Sequence, residues 1–327
     1  MRFFLLVIFA LVLLTAGVGY LWLNDPFDLP TATVDLSIEP GTSARETAST
    51  VVDAGVPVNP TLLHAWFRLS GQSRQIRAGS YELDRATTPR SLLQKLVRGE
   101  EALRSVTLVE GWTFRQMRDA LQKAEQLKPD SQALSASDIM QQLGQPGVPA
   151  EGHFFPDTYT YSKGSSDLAV LKRAMRAMDK RLAAAWAQRD PQTPLASPEQ
   201  ALVLASIVEK ETGTPNDRPT IAAVFSNRLR IGMRLQTDPS VIYGMGESFD
   251  GNLRKKDLLT DTPWNTYTRT GLPPTPIAMP GKASLLAAVQ PAQSKALYFV
   301  ARGDGSSHFS STLDEHNRAV NKYQRGQ

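Results

Sequence analysis

Pro198–Leu235 reads PEQALVLASIVEKETGTPNDRPTIAAVFSNRLRIGMRL, and the reading of this stretch organises the rest of the chain. Ser197, Pro198 and Gln200 form a helix-start signature: Ser caps, Pro suits the first helical position, and Gln stands at N3 to complete a capping box. On a wheel advancing about 100° per residue, Glu199, Ser206 and Lys210 make the polar side. Ala201, Leu204, Ala205, Ile207 and Val208 lie away from it, and Glu211 falls beside Leu204, Ile207 and Val208 on the face expected to be buried. Glu209 falls nearer the boundary. A carboxyl at the end of an apolar face is costly to ionise, and a helix C-terminus further disfavours negative charge. Glu211 therefore has a physical reason to hold a proton near neutral pH, as a general acid must. The competing reading makes it a helix-end carboxylate swung into solvent, or an ion-pair partner of Arg218, Arg228 or Arg230. A Gly/Pro/Asn-bearing loop, Thr212–Pro219, separates this helix from a second one at Thr220–Leu229.

Outward from this stretch, Arg228–Gly246 alternates arginines with Leu229, Ile231, Met233 and Leu235, which predicts a strand pair or loop directing polar groups into a cleft. Asp261–Gly281 is proline-rich and too irregular for a helix, a kind of loop that often edges an active site. Ala296–Gly303 reads as a buried strand, and the final helix carries His316 and Asn317. On the N-terminal side, EGHFFPDTYTYSKG (Glu151–Gly164) concentrates Phe154, Phe155, Tyr159 and Tyr161 about a Pro-Asp turn. Such a segment either lines a sugar-binding groove or forms a buried turn. Ala169–Arg189 is a long helical pattern whose basic residues suit a solvated face.

The first hundred residues are of another kind. Phe3–Leu23 is uncharged and long enough to cross a bilayer as a helix, with Arg2 before it and Asp25 and Asp28 after it. The positive-inside rule places the N-terminus in the cytoplasm, and Tyr20 and Trp22 suit the membrane interface. A cleaved signal peptide is the alternative, although the apolar run continues past the small-residue sites at Thr15–Gly19. A short spacer (24–33) leads into a strand, a Pro40-Gly41 turn and three short helices with a second strand at Ile76–Leu83. The order of strand, Gly turn, Ser/Thr cap and helix at IEPGTSARETAS returns at LVEGWTFRQMRDAL (Leu108–Leu121), too few copies for a solenoid.

With 327 residues and a net charge of +4, the chain has room for two or three domains and no charge pattern that argues for nucleic acid. Cysteine is absent, which excludes disulfides and thiol chemistry. The four histidines stand at no familiar ligand spacing, and neither a GxSxG elbow, a Walker loop nor a dinucleotide fingerprint occurs, so neither metal nor cofactor is expected. Carboxylate chemistry beside aromatic and amide groups remains, which is compatible with carbohydrate cleavage.

SIVEKET (Ser206–Thr212), NRLRIGMRLQTDPSVIYG (Asn227–Gly244), NTYTRTGLPPTPIAMPG (Asn265–Gly281) and EGHFFPDTY (Glu151–Tyr159), in one order, resemble the YceG-like family of membrane-bound endolytic murein transglycosylases. The resemblance covers nearly the whole chain. It implies cleavage of the MurNAc-β-1,4-GlcNAc bond within peptidoglycan strands, leaving 1,6-anhydroMurNAc ends, with Glu211 as acid/base and possible cell-wall synthases as partners. It also implies a single-pass protein of the bacterial inner membrane with a periplasmic catalytic region. The fold expected is α+β: an anchor at 1–23, a spacer at 24–33, a small LysM-like module at 34–104, and a larger mixed α+β catalytic region at 105–327. That region opens with a strand-helix subdomain near 105–150, and its catalytic helix is expected to pack on a mixed or antiparallel sheet. Asn227, Gln236, Asp238, Asn265 and Tyr267 are candidates for binding substrate. Asp238, Glu247, Glu209 and Asp157 are candidates for a second acid, as a hydrolase would need. A non-enzymatic, anchored peptidoglycan-binding scaffold is the remaining alternative.

Overall fold

The computed structural model describes residues 2–211 and 214–326. Met1 and the side chain of Arg2, on which the sequence-based orientation rests, lie outside the described residues, as do Thr212 and Gly213 of the Thr212–Pro219 loop. The chain divides into two compact units, Met1–Arg104 with Thr160–Ser165, and Ser105–Tyr159 with Ser166–Gln327.

The smaller unit begins with α1 (Arg2–Asn24), whose segment Phe3–Asn24 is long and apolar enough to cross a membrane. Then follow β1 (Thr33–Ile38), α2 (Ala44–Asp53), α3 (Pro60–Leu69), β2 (Gly79–Asp84) and α4 (Pro89–Arg98). β1 and β2 pair antiparallel, with Leu36 opposite Tyr81. Strict alternation buries Val34, Leu36 and Ile38 against the helices, the period-2 signature of a strand with one solvated face. Phe27 and Leu29 are buried in the same core, and Trp22 packs against it.

Local capping defines the helices. Ser43 and Glu46 close a reciprocal box on α2, Asn59 caps α3, and Thr88 with Pro89 starts α4. The strand-turn-helix echo is real: Gly41 (φ +88°) precedes the Ser43 box, and in the second unit Gly111 (φ +77°) precedes a box between Thr113 and Gln116. Both turns need a left-handed residue, which glycine supplies without steric cost.

β3 (Leu103–Thr107) pairs with β4 (Thr158–Ser162), each strand being shared between the units, and the larger unit contains β5 (Tyr298–Ala301) and β6 (Ser307–Ser310), which form an antiparallel hairpin. Its helices are α5 (Phe114–Gln122), α6 (Ala136–Gln142), α7 (Asp167–Ala187), α8 (Pro198–Glu211), α9 (Arg218–Arg230), α10 (Asp238–Met245), α11 (Lys255–Leu259), α12 (Lys282–Val289) and α13 (Leu313–Gln324). Thus the mixed α+β class holds, but the expected packing of the key helix on a sheet does not. α8 is enclosed by α7, α9, α10 and α12. Ala201 through Val208 are buried without a break, so the helix has no solvated stripe over its middle turns.

Ser206, assigned to a polar face by the wheel, is fully buried. Its hydroxyl donates to the Val203 carbonyl (2.7 Å) and accepts from the Ile277 amide (3.0 Å), satisfying itself and fixing the proline-rich loop. The start signature of α8 is half retained: Gln200 N–H donates to Ser197 Oγ (3.3 Å), while its side chain accepts from Ala196 N–H rather than from Ser197.

Two further expectations change. Of the two readings of Arg228–Gly246 the loop holds and the strand pair does not: α9 runs through Arg230, a loop follows, and α10 begins at Asp238. Its alternation is the product of a helix end followed by an irregular turn. β5 is also less buried than its sequence predicts, because only Val300 among its four residues is fully covered. The aromatic segment after Glu151 is the buried turn: Phe154 stacks on Phe114 (5.1 Å between ring centres), and Tyr159 donates to the Phe155 carbonyl (2.7 Å). Arg181 of α7 lies over Phe155 at 4.0 Å, so its basic face is not wholly given to solvent.

Candidate active site

Glu211 is the last residue of α8, where the buried helix opens on a groove of about 630 Å³. Thr237 Oγ1 donates to Glu211 Oε1 at 2.5 Å. Thr237 is itself buried and fixed from below: its amide donates to Thr266 Oγ1 (3.0 Å), and Ser240 Oγ donates to its carbonyl (2.8 Å). Preceding it, Gln236 takes φ +51°, a left-handed conformation that a non-glycine residue holds only when its surroundings enforce it. The Gln236 amide donates to the Thr266 carbonyl (3.2 Å), and that tie supplies the enforcement.

Burial raises the Glu211 carboxyl above the ordinary glutamate range. The Thr237 hydrogen bond opposes the rise, the charge of Asp238 adds to it, and Arg228 reduces it. None of the three arginines offered as ion-pair partners is given over to Glu211. Arg218 lies 3.8 Å from Glu209, and Arg230 donates to Asn227 Oδ1 and the Gln192 carbonyl. Arg228, buried, donates to the carbonyls of Leu297 (2.7 Å) and Leu235 (2.6 Å) and acts on Glu211 only through its field.

Of the residues singled out in the sequence, Glu211, Gln236, Asp238 and Tyr267 line the groove together. Tyr267 Oη donates to Asp238 Oδ1 at 2.6 Å, and burial followed by that carboxylate pushes the phenol upward. Asn227 and Asn265 do not line it. The Asn227 amide donates to the carbonyls of Ser294 and Ala296 (2.8 and 3.0 Å). Asn265, fully buried, donates to those of Leu258 and Thr260 and accepts from the Tyr267 amide. Both amides hold loops, and Asn265 places Tyr267.

The four candidate second acids separate in the same way. Glu209 accepts from the Gly281 amide (2.9 Å), Asp157 faces Arg181 (3.6 Å), and Glu247 pairs with Arg115 (2.7 Å). Only Asp238 among them shares the groove with Glu211.

Several residues gain importance only from the structure. Thr237 stood in the sequence as one polar residue among many, and its signal is position alone, between Gln236 and Asp238. Tyr298 and His316, more than eighty residues from Glu211, line the same groove. Glu151, the first residue of the aromatic segment, is a second buried acid. Its carboxylate accepts from the Phe114 amide at the start of α5 (3.0 Å) and from Tyr243 Oη (3.3 Å), and burial pushes it up to about 7.

The YceG-like family matches this chain over residues 36–322. A protein of Bacillus subtilis (strain 168) named endolytic murein transglycosylase is 31% identical over 310 residues, covering 89% of this chain and 85% of that protein. A protein of the same name from Streptococcus pneumoniae serotype 2 (strain D39) is 27% identical over 352 residues, covering 95% of this chain; the match spans only 63% of that longer protein. The crystal structure of a yceG-like protein from Listeria monocytogenes superposes with a TM-score of 0.56 at 30% identity, over 88% of this chain and 98% of that one.

Proposed function

The chain belongs to the YceG-like family, and from that premise we propose that it is an endolytic murein transglycosylase with Glu211 as its acid/base. The observation that carries the residue assignment is the setting of Glu211: a buried carboxyl held through one oxygen by Thr237 at the mouth of a groove lined by polar and aromatic groups. Curated relatives bearing that activity in their names support the reaction class.

In this mechanism protonated Glu211 donates to the glycosidic oxygen as the bond from that oxygen to the muramoyl C1 breaks. The resulting carboxylate then accepts the proton of the same sugar's C6 hydroxyl as O6 bonds to C1, closing the 1,6-anhydro ring. The proton on Glu211 is restored and no water is consumed. An intramolecular nucleophile has proximity built in. Thr237 fixes the carboxyl by one oxygen and leaves the other for proton transfer. Asp238, held by Tyr267, supplies negative charge that keeps Glu211 protonated and favours the cationic character developing at C1.

The remaining assignments follow the same reading. Residues 1–23 are the anchor, 24–33 a spacer, 34–104 a LysM-like glycan-binding module and 105–327 the catalytic region, with a strand-helix subdomain near 105–150. The N-terminus is cytoplasmic and the catalytic region periplasmic, on the bacterial inner membrane. There the enzyme would cut nascent strands beside the cell-wall synthases that extend them and so terminate their elongation. Gln236, Asp238 and Tyr267 contact substrate; Asn227 and Asn265 act by holding loops.

Digestion of purified peptidoglycan by the detergent-solubilised full chain, with mass spectrometry of the new ends, tests the reaction. Anhydro ends from the wild type and none from Glu211→Gln are expected. Reducing ends instead would point to hydrolysis with Asp238 as the second carboxylate, the only other candidate acid in the groove.

A further inference from the structure

We propose that the side of the Glu211 groove formed by β5 and one face of α13 is a sugar-binding platform, on which the stacked rings of Tyr298 and His316 hold a glycan residue beside the bond being cut. The proposal rests on the transglycosylase reading for its ligand and extends it to residues far from the acid in sequence.

Three observations carry it. The first is periodicity: Leu313, His316, Val320 and Gln324 of α13 all line the groove, and their spacing of three, four and four residues sets them on one helical face. Leu313 is 54% exposed there, an apolar side chain facing open groove rather than core. The second is geometry. The Tyr298 and His316 rings stack with centres 5.2 Å apart and planes 22° from parallel, so each covers one face of the other and the pair offers an outer ring face with ring edges beside it. A pyranose presents an apolar face of C–H groups edged by hydroxyls, and such a face suits a ring surface with polar groups at its border.

The third is rigidity. Arg228, whose guanidinium lies 5.3 Å from the Tyr298 ring centre, donates to the Leu297 carbonyl just before β5 and to the Leu235 carbonyl just before Gln236. One buried side chain therefore ties the ring-bearing strand to the loop that carries Gln236 and Thr237. Phe299, next in the strand, packs edge-on against the buried Phe225 at 6.0 Å.

The imidazole suits the role. Burial, then Arg228 and His308, lower its proton affinity, so it stacks as a neutral ring. Its Nδ1 is buried with no hydrogen-bond partner among the described residues, so stacking rather than a hydrogen bond at that nitrogen positions the ring.

The test uses the full chain in detergent and peptide-free glycan strands. Binding is measured on a Glu211→Gln background, turnover on the wild-type background, and the thermal midpoint without glycan serves as the folding control. His316→Ala is expected to weaken binding and raise KM about tenfold, the upper scale of one lost stacking contact, while kcat stays within about threefold. His316→Phe, which restores a flat ring, is expected to recover most of the loss. Unchanged binding in His316→Ala, or equal impairment of the Ala and Phe forms, would overturn the platform. Failure of the transglycosylase reading registers separately, as glycan binding that depends on His316 in a protein whose wild type releases no anhydro ends.

Discussion

The groove at Glu211 and the enclosed site at Glu151 each withdraw a carboxyl from water, Glu151 fully and Glu211 in part, and raise its proton affinity, yet their surroundings give the two carboxyls different work. Glu151 is closed in. It accepts from the Phe114 amide at the N-terminus of α5, where negative charge is favoured, and from Tyr243, whose ring packs edge-on against Trp264 at 5.4 Å. Glu211 sits at the opposite kind of helix end, where negative charge is disfavoured, and opens on 630 Å³ of groove. Thr237 is its one neutral hydrogen-bond donor among the described residues, and Asp238 and Arg228 shift it in opposite directions. A raised pKa alone therefore does not mark a catalytic acid; access to a groove, and an oxygen with no partner among the described residues, do.

The sharpest way to break the comparison is to neutralise each acid in turn. Glu211→Gln is expected to lower the rate of anhydro-end formation by about 10²–10⁴, the range for a general acid. Its thermal midpoint should be unchanged or higher, since the variant removes a group whose ionised form the fold disfavours. Glu151→Gln should retain activity within a few-fold. Comparable losses in both variants, measured by product release under one set of conditions, would erase the distinction between the sites.

Stability should separate them in the opposite sense. The Glu151 carboxyl moves from an ordinary 4.5 to about 7 in the folded chain, so between those pH values the folded state binds the proton that the unfolded state releases. Stability accordingly falls as pH rises through that window and levels off above it. At about 1.4 kcal/mol per pH unit the loss is about 3 kcal/mol. Glu151→Gln should lack this component, being more stable than the wild type at pH 8 relative to their difference at pH 4.5. Glu211 and Glu110 are raised in both proteins and cancel from that difference. Thermal unfolding of the two proteins across pH 4.5–8 is the measurement, and parallel curves would show that Glu151 does not titrate in the fold.

A smaller effect is expected at Thr237. Its hydroxyl favours the ionised form of Glu211, so Thr237→Val should raise the carboxyl's pKa further and shift the alkaline limb of activity to higher pH. The loss of a fixed orientation should also lower kcat about five- to tenfold, on the scale of one hydrogen bond of about 1 kcal/mol. A pH–rate profile that keeps its alkaline limb in place would remove Thr237 from the acid's control.

How much of this the sequence carried depended on whether the information was local. The two glycine turns with their Ser/Thr caps and the apolar N-terminal helix depend on residues within a few positions of each other, and these were legible. The burial of Glu211 was legible too, but through an argument that was only half sound. The wheel gave α8 a polar stripe, whereas the fold encloses it on all sides, and Ser206 is buried because Ile277, seventy-one residues away, supplies its partner. Asn227 and Asn265 failed as substrate candidates for the same reason: an amide that could meet a sugar is equally able to meet backbone carbonyls, and only tertiary placement decides. Tyr298 and His316 carried no local signal of pairing, since their stack and its place in the Glu211 groove exist only once β5 and α13 are in place.

Tyr243 offers the finest probe of the closed site. Its hydroxyl donates to Glu151 at 3.3 Å, a long hydrogen bond that favours the ionised carboxyl. Tyr243→Phe keeps the ring and its packing against Trp264 while removing that donor. At pH 4.5 Glu151 is protonated in both proteins and little should change. Near pH 8 the wild type retains a donor to a buried carboxylate and the variant does not, so the variant should be less stable by about 0.5–1.5 kcal/mol. The fall in stability should also extend to higher pH in the variant, because without the hydroxyl the carboxyl holds its proton longer. A difference between the two proteins that is constant across pH would instead assign the hydroxyl to packing, leaving the Phe114 amide as the hydrogen bond that governs Glu151.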